Sequence, residues 1–147
     1  MDKVYKSFVV LLWIAIVVIY PMLISIYVTL PLFVGFSGLM LVRGLDEENY
    51  LYIFFSLIYM LNLEVNLSLP IFLLPISAIV FYIFLKDKLN FLKLCISCVS
   101  VATVLLINLI YFSFLFFHDF ITGQSSVNYD SFLIFSIIYD IIAAVLV

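Results

Sequence analysis

Two carboxylates in otherwise apolar segments are the residues of this chain whose types and placement point most directly to chemistry or binding. Glu64 and Asp140 are each the only charged residue in a long stretch that is otherwise uncharged. A carboxylate inside the apolar layer of a membrane is costly unless it is paired, so such acids usually mark an ion path, a ligand site or a partner contact. Together with the amides Asn66 and Asn108, they form our set of candidate partner- or ligand-binding residues.

Glu64 lies in a polar window that also contains Asn62, Asn66 and Ser68 and that ends at Pro70. Two interpretations follow: Glu64 is a buried functional acid, or it lies at the tip of a helical hairpin, in water or among lipid headgroups. Span lengths favour the hairpin tip. If the window is helical, Asn62 and Asn66 lie two residues either side of Glu64 and face away from it.

Asp140 lies in the middle of the last apolar segment and must face protein or water. Asn108, within the preceding apolar segment, is a suitable partner because amides often hydrogen-bond between membrane helices. A structural role for this pair is favoured over ligand binding.

The remaining reactive side chains do not form a catalytic or metal-binding pattern. Cys95 and Cys98 form a C-x-x-C at the start of an apolar helix, which favours ordinary packing over redox chemistry because there is no second cysteine pair. His118 and Asp119 begin a polar loop, and a single histidine does not make a metal site. We therefore predict no catalytic residue, no metal and no cofactor.

The composition places the helices that carry these residues in a membrane. Of 147 residues, 68% are hydrophobic and only 10% are charged, and the mean hydropathy is +1.39. A soluble domain typically has about 45–50% apolar and about 25% charged residues, so soluble enzymes are excluded. The net charge of −3 provides no basic patch for nucleic acid.

Segment lengths predict an all-α integral membrane protein with about six transmembrane helices. Residues 7–42 contain no charge and would form a single helix of roughly 54 Å, too long for a hydrocarbon layer of roughly 30 Å. We expect two spans that turn near Tyr20-Pro21, the alternative being one span and a re-entrant piece from Pro31 to Gly38. Residues 50–85 provide two more spans, and residues 94–117 and 131–147 provide one each.

The basic residues predict the orientation of these spans. Lys and Arg that flank spans are retained in the cytoplasm, and six crossings with a cytoplasmic N-terminus leave none of them outside. The outer loop, residues 118–130, holds no Lys or Arg. Both termini are then cytoplasmic, the first span is uncleaved, and residues 1–147 form one multi-pass domain of the cell inner membrane without an internal repeat. The basic residues are Lys3, Lys6, Arg43, Lys86, Lys88 and Lys93.

Small residues predict one close helix contact. Gly35, Ser37 and Gly38 give the second span a small face, which lets a neighbouring helix approach closely.

The order of these features resembles the rod shape-determining protein MreD family. The resemblance is carried by Glu64 within the segment from Leu61 to Pro70, by the lysine-bearing link from Lys86 to Lys93, and by Tyr139-Asp140 in the last span. It covers most of the chain, although Glu64 stands where the family usually has Asp with nearby glycines. The resemblance implies a chain of about six spans.

The same resemblance implies a non-enzymatic scaffold of the bacterial cell-wall elongation machinery. Its partners would be the lipid bilayer that surrounds it and MreC-like, RodA-like and penicillin-binding proteins. The alternative from the residues alone is a substrate-binding or channel subunit of a small-solute transporter, in which Glu64 and Asp140 line a solute path. A membrane enzyme is disfavoured because no cluster of His, Asp and Glu converges on one membrane face.

Overall fold

The computed structural model describes residues 2–27, 29–90, 95–124 and 131–146, and within these ranges all regular structure is helical. Lys93, Leu94 and Asp130, which are part of the predicted loops and spans, lie outside the described residues. The helices are α1 Asp2–Ile26, α2 Val34–Asp46, α3 Tyr50–Asn66, α4 Leu73–Phe84, α5 Lys86–Asn90, α6 Ile96–Thr122 and α7 Ser131–Leu146.

Two of these helices are long and apolar enough to cross a membrane by length and composition. They are the Ser7–Ile26 part of α1 and the whole of α6, Ile96–Thr122. Helices α3 and α4 and the Ile134–Leu146 part of α7 are apolar but shorter.

The turn predicted near Tyr20-Pro21 is wrong. Helix α1 continues through Pro21 to Ile26, and a non-helical segment that includes residues 29–33, around Pro31, precedes α2 instead. A proline inside a helix leaves the carbonyl four residues earlier without its donor. Here Asn62 Nδ2 donates to that carbonyl, Val17 O, at 3.1 Å and also to Val18 O at 3.2 Å. The helix persists because α3 supplies the donor that Pro21 lacks.

Helix α2 is the centre of the fold, with α3, α4, α6 and α7 packed around it. Arg43 near its end meets Ser100 near the start of α6, whereas Gly35 near its start meets Asn108 further along α6, so α2 and α6 are antiparallel. Leu32 and Gly35 meet Ser136 and Asp140 in the same order, so α2 and α7 run in the same direction.

The small face predicted for the second span is confirmed. A methyl group added at Gly35 would lie 2.6 Å from Val104 Cγ1 and 2.8 Å from the Val104 carbonyl oxygen. One added at Gly38 would lie 2.8 Å from two carbons of the Ile107 side chain. Such distances are closer than carbon atoms can approach, so α2 and α6 pack nearly backbone to backbone.

The interior of this helical assembly is mostly apolar but encloses several polar groups, and large apolar side chains also cover much of the outside. Glu64, Ser77 and Asp140 are 0% exposed and Asn108 is 2% exposed. The surface instead carries many half- to fully exposed Phe, Leu and Ile side chains on α1, α3, α4, α6 and α7. Water disfavours a surface with so many large apolar side chains.

We predict that Gly35→Ala destabilises the protein by about 1–3 kcal/mol, because the added methyl group forces α2 away from the α6 backbone. The measurement is the free energy of unfolding in detergent micelles. Val145→Ile, which adds one methyl group at an exposed position of α7, is the control and should leave stability within about 0.5 kcal/mol of wild type. Equal stability of the two variants would show that α2 and α6 are not in close contact.

Candidate functional site

The N-termini of α2 and α4 lack caps from their own neighbouring residues. Their N-cap residues are Phe33 (φ 49°) and Phe72 (φ 72°), both in the left-handed region and neither able to accept a hydrogen bond through its side chain. The first N–H groups of a helix have no partner within the helix itself. In an apolar interior these donors need an acceptor from elsewhere in the protein.

Asp140 on α7 supplies that acceptor to α2. Its Oδ2 accepts hydrogen bonds from the backbone N–H of Gly35 and from Asn108 Nδ2, both at 2.9 Å. Gly35 is the second residue of α2, where a capping oxygen normally accepts. The predicted Asn108–Asp140 pair is therefore confirmed. Asp140 has a second role, because its side chain provides the capping acceptor that the N-cap residue Phe33 cannot provide.

Glu64 on α3 does the same for α4. Its Oε2 accepts from the Phe72 N–H at 2.8 Å and its Oε1 accepts from the Leu74 N–H at 2.6 Å. Leu74 is the second residue of α4, the equivalent of Gly35 in α2. A carboxylate close to the positive end of a helix dipole is also favourable electrostatically.

The expected hairpin-tip position of Glu64 is wrong. A break does occur at residues 67–72, but Glu64 lies in the last turn of α3 and its side chain is completely buried. Asn66 does not join it: its Nδ2 donates to Asn62 O at 2.8 Å and to Asn62 Oδ1 at 2.7 Å. As the helical spacing predicts, the two amides face away from Glu64.

Three further side chains, which the sequence analysis missed, satisfy the backbone around the first break. The Tyr20 hydroxyl donates to Pro31 O at 2.8 Å, and the Tyr59 hydroxyl donates to Leu32 O at 2.9 Å. The Leu32 N–H donates to Ser136 Oγ at 3.2 Å.

A local sequence repeat marks both capped breaks. Leu30-Pro31-Leu32-Phe33 precedes α2, and Leu69-Pro70-Ile71-Phe72 precedes α4. Each segment ends in a Phe whose backbone has a left-handed conformation. The helix that follows is capped by a carboxylate from another helix. The shared pattern L-P-x-F is the sequence signal that could have located both sites.

A groove of about 480 Å³, which we call the lateral groove, is bounded by α1, α2 and α3 and by Ala143 of α7. The middle of α1, from Val9 to Tyr20, and the first part of α3, from Leu51 to Tyr59, both line it. Its lining is mostly apolar and aromatic, and neither Glu64 nor Asp140 reaches it. Lining residues include Val9, Trp13, Phe36, Leu51, Phe55 and Ala143.

A second cavity of about 680 Å³, which we call the basic-end cavity, lies where α2 ends and α6 begins. Arg43 Nη2 donates to Ser100 Oγ at 3.1 Å, and Lys86 forms a hydrogen-bonded ion pair with Asp46. Cys95 also lines this cavity.

Two expectations about the reactive side chains change. Helix α6 continues to Thr122, so His118 and Asp119 lie on a helix instead of beginning the loop, with His118 Nδ1 and Asp119 Oδ1 3.6 Å apart. Cys95 and Cys98 are exposed, so the expected packing role is wrong. Within the described ranges no three His, Cys, Asp or Glu side chains are grouped as metal ligands.

Comparison of this chain with protein-family models, with curated proteins and with solved structures finds no match.

We predict that Asp140→Ala lowers the free energy of unfolding by about 2–4 kcal/mol, because the Gly35 N–H and the Asn108 amide both lose their acceptor in a buried site. The measurement is equilibrium unfolding in detergent micelles, and a double-mutant cycle with Asn108→Ala should give a coupling of about 0.5–3 kcal/mol.

Glu47→Ala is the control for this cycle because it removes an exposed carboxylate, and it should change stability by no more than about 0.5 kcal/mol. Additive effects of the two buried variants would contradict a direct bond between Asn108 and Asp140.

Proposed function

We propose that the chain is a multi-pass protein of the cell inner membrane in which α1, α2, α3, α4, α6 and α7 each cross the bilayer. The helix directions support this proposal: α3 and α6 run one way and α2, α4 and α7 run the other. Gly44 near the end of α2 lies against Ile53 near the start of α3, and Lys86, just after α4, pairs with Asp46 at the end of α2. This alternation is what successive crossings require. Helices α2 and α4, with 13 and 12 residues, are short for spans, and the broken segments before them extend their reach across the bilayer.

The surface of the assembly supports a lipid environment. Exposed Phe, Leu and Ile side chains cover the outside, while the two buried carboxylates hydrogen-bond inside. Apolar side chains that face lipid cost nothing, whereas in water such a surface would drive aggregation.

The positions of the basic residues support a cytoplasmic location for both ends of the chain. Arg43 and Lys86 meet at the end of the bundle where α2 finishes and α6 starts, and they line one cavity. In the proposed topology Lys3, Lys6 and Lys88 lie at the same end, which the positive-inside rule assigns to the cytoplasm.

We further propose that the protein is a non-enzymatic scaffold of the MreD type in the bacterial cell-wall elongation machinery. The observation that carries this proposal is the use of Glu64 and Asp140 as internal helix caps. A scaffold uses buried acids to fix its own helices and presents an apolar surface to partners. The lateral groove is such a surface, and we assign it to a transmembrane helix of an MreC-like, RodA-like or penicillin-binding partner.

A carrier of small solutes would place these acids differently. Its binding site would be a cavity into which several polar groups converge. Neither Glu64 nor Asp140 lines the lateral groove or the basic-end cavity, and the lateral groove is mostly apolar. The geometry therefore favours the scaffold over the transporter subunit.

For the topology, we predict that alkaline phosphatase inserted after Gly123 is active and that the same enzyme inserted after Glu48 is inactive. The enzyme needs the oxidising side of the membrane to form its disulfides. Both positions are exposed and lie outside the helices. The measurement is phosphatase activity of whole cells, with equal amounts of fusion protein confirmed by immunoblot. Activity at Glu48, or at neither position, would contradict the six-span proposal.

For the partner, we predict that tagged protein purified from native membranes in mild detergent recovers a wall-synthesis protein, and that Ala143→Phe lowers this recovery about tenfold or more. The added ring fills the lateral groove and excludes the partner helix. The measurement is quantitative mass spectrometry of the co-purified proteins.

Ile142→Phe is the matched control, because Ile142 precedes Ala143 on the same helix and is exposed away from the groove lining. It should leave recovery unchanged. Recovery of a transporter ATPase in place of wall-synthesis proteins would overturn the scaffold proposal.

A further inference from the structure

Cys95 and Cys98 lie at the start of α6, at two positions close enough for a disulfide bond to form between them. Cys95 is the N-cap residue, with φ −167° and ψ 130°, and Cys98 is the third residue of the helix. They are the only cysteines in the chain, and both are free and exposed. Residues three apart on a helix are neighbours, so one disulfide can join them.

The surroundings of Cys95 favour its thiolate. The neighbouring Cys98 thiol lowers the pKa of Cys95 most, and the backbone N–H groups of Cys98 and Ser97 lower it further. These donors are at the positive end of the α6 dipole. A thiolate at a helix N-terminus is the reactive form in thiol exchange.

The basic-end cavity gives this thiol a place for a reactant. Cys95 lines the cavity together with Arg43 and Lys86, and Asp46 is the single acid in the lining. A volume of about 680 Å³ is within the range of small-molecule sites. Since Lys86 is paired with Asp46, the lining has a net positive charge from two cations and one acid, which suits a molecule that carries carboxylates.

We propose that Cys95 and Cys98 form a redox-active dithiol that exchanges with a small anionic disulfide bound in the basic-end cavity. This activity is independent of the scaffold function, because it depends only on the start of α6 and on the cavity.

The exchange takes place in two balanced steps. The Cys95 thiolate attacks one sulfur of the incoming disulfide, a mixed disulfide forms, and the first thiolate of the reactant leaves. Cys98 then loses its proton and attacks Cys95 Sγ, and the second thiolate leaves. The dithiol is oxidised to an intramolecular disulfide, the reactant is reduced to two thiols, and the two cysteine protons pass to the two leaving thiolates.

The probe for this proposal is oxidised glutathione, a small disulfide with several carboxylates. The full chain, purified in detergent micelles and reduced, is equilibrated with defined ratios of reduced and oxidised glutathione, quenched with acid and labelled with a maleimide. Intact mass spectrometry then counts the labelled thiols. We expect two labels on the reduced protein, and the loss of both labels together with two hydrogen masses on the oxidised protein.

Variants with a single cysteine allow the reactivities of Cys95 and Cys98 to be measured separately. We expect the remaining Cys95 of Cys98→Ser to react with an alkylating reagent about three- to tenfold faster than the remaining Cys98 of Cys95→Ser. Cys95→Ser should form no mixed disulfide with glutathione under conditions in which Cys98→Ser forms one. Arg43→Gln should slow oxidation by glutathione, whereas Lys88→Gln, an exposed lysine outside the cavity lining, should not.

Three results would overturn the proposal. They are two labelled thiols at every glutathione ratio, equal alkylation rates for the two single variants, and oxidation that yields only disulfides between chains. None of these depends on a wall-synthesis partner, so failure here and failure of the scaffold proposal are distinguishable.

Discussion

The fold depends on the hydrogen-bonding needs of helices that begin inside an apolar assembly. At such an N-terminus there is no water to accept from the first N–H groups, so the protein must supply an acceptor. In this chain the acceptors are two carboxylates from other helices, Asp140 for α2 and Glu64 for α4. Each carboxylate is stabilised by the donors that it satisfies, and each helix is held in place by the acid that caps it.

Helix α2 shows how far this dependence extends. Asp140 accepts a hydrogen bond from its N-terminus. The Tyr20 and Tyr59 hydroxyls donate to the carbonyl oxygens of the two residues that precede Phe33. Its glycine face then lets α6 approach until the two backbones nearly touch. A helix of only 13 residues thereby packs against α3, α4, α6 and α7, and it forms one side of the lateral groove.

The sequence was informative where the deciding interaction was one of composition or residue size. The all-helical character, the Gly35 and Gly38 face and the Asn108–Asp140 bond were all predictable. The capping role of Glu64 was not, because the usual signal for a cap is a polar residue directly before the helix, and here that position is Phe72. The continuation of α1 through Pro21 could not be predicted for a related reason, because its compensating donor, Asn62, lies on another helix.

The cap on α2 joins the second helix of the chain to the last one, across 105 residues of sequence. The ribosome synthesises α2 long before α7. During that interval the Gly35 N–H has no acceptor from Asp140, so the N-terminus of α2 needs water or another polar group as a temporary partner. Once α7 has been made, Asp140 caps α2, so a segment synthesised later fixes the position of a helix synthesised much earlier.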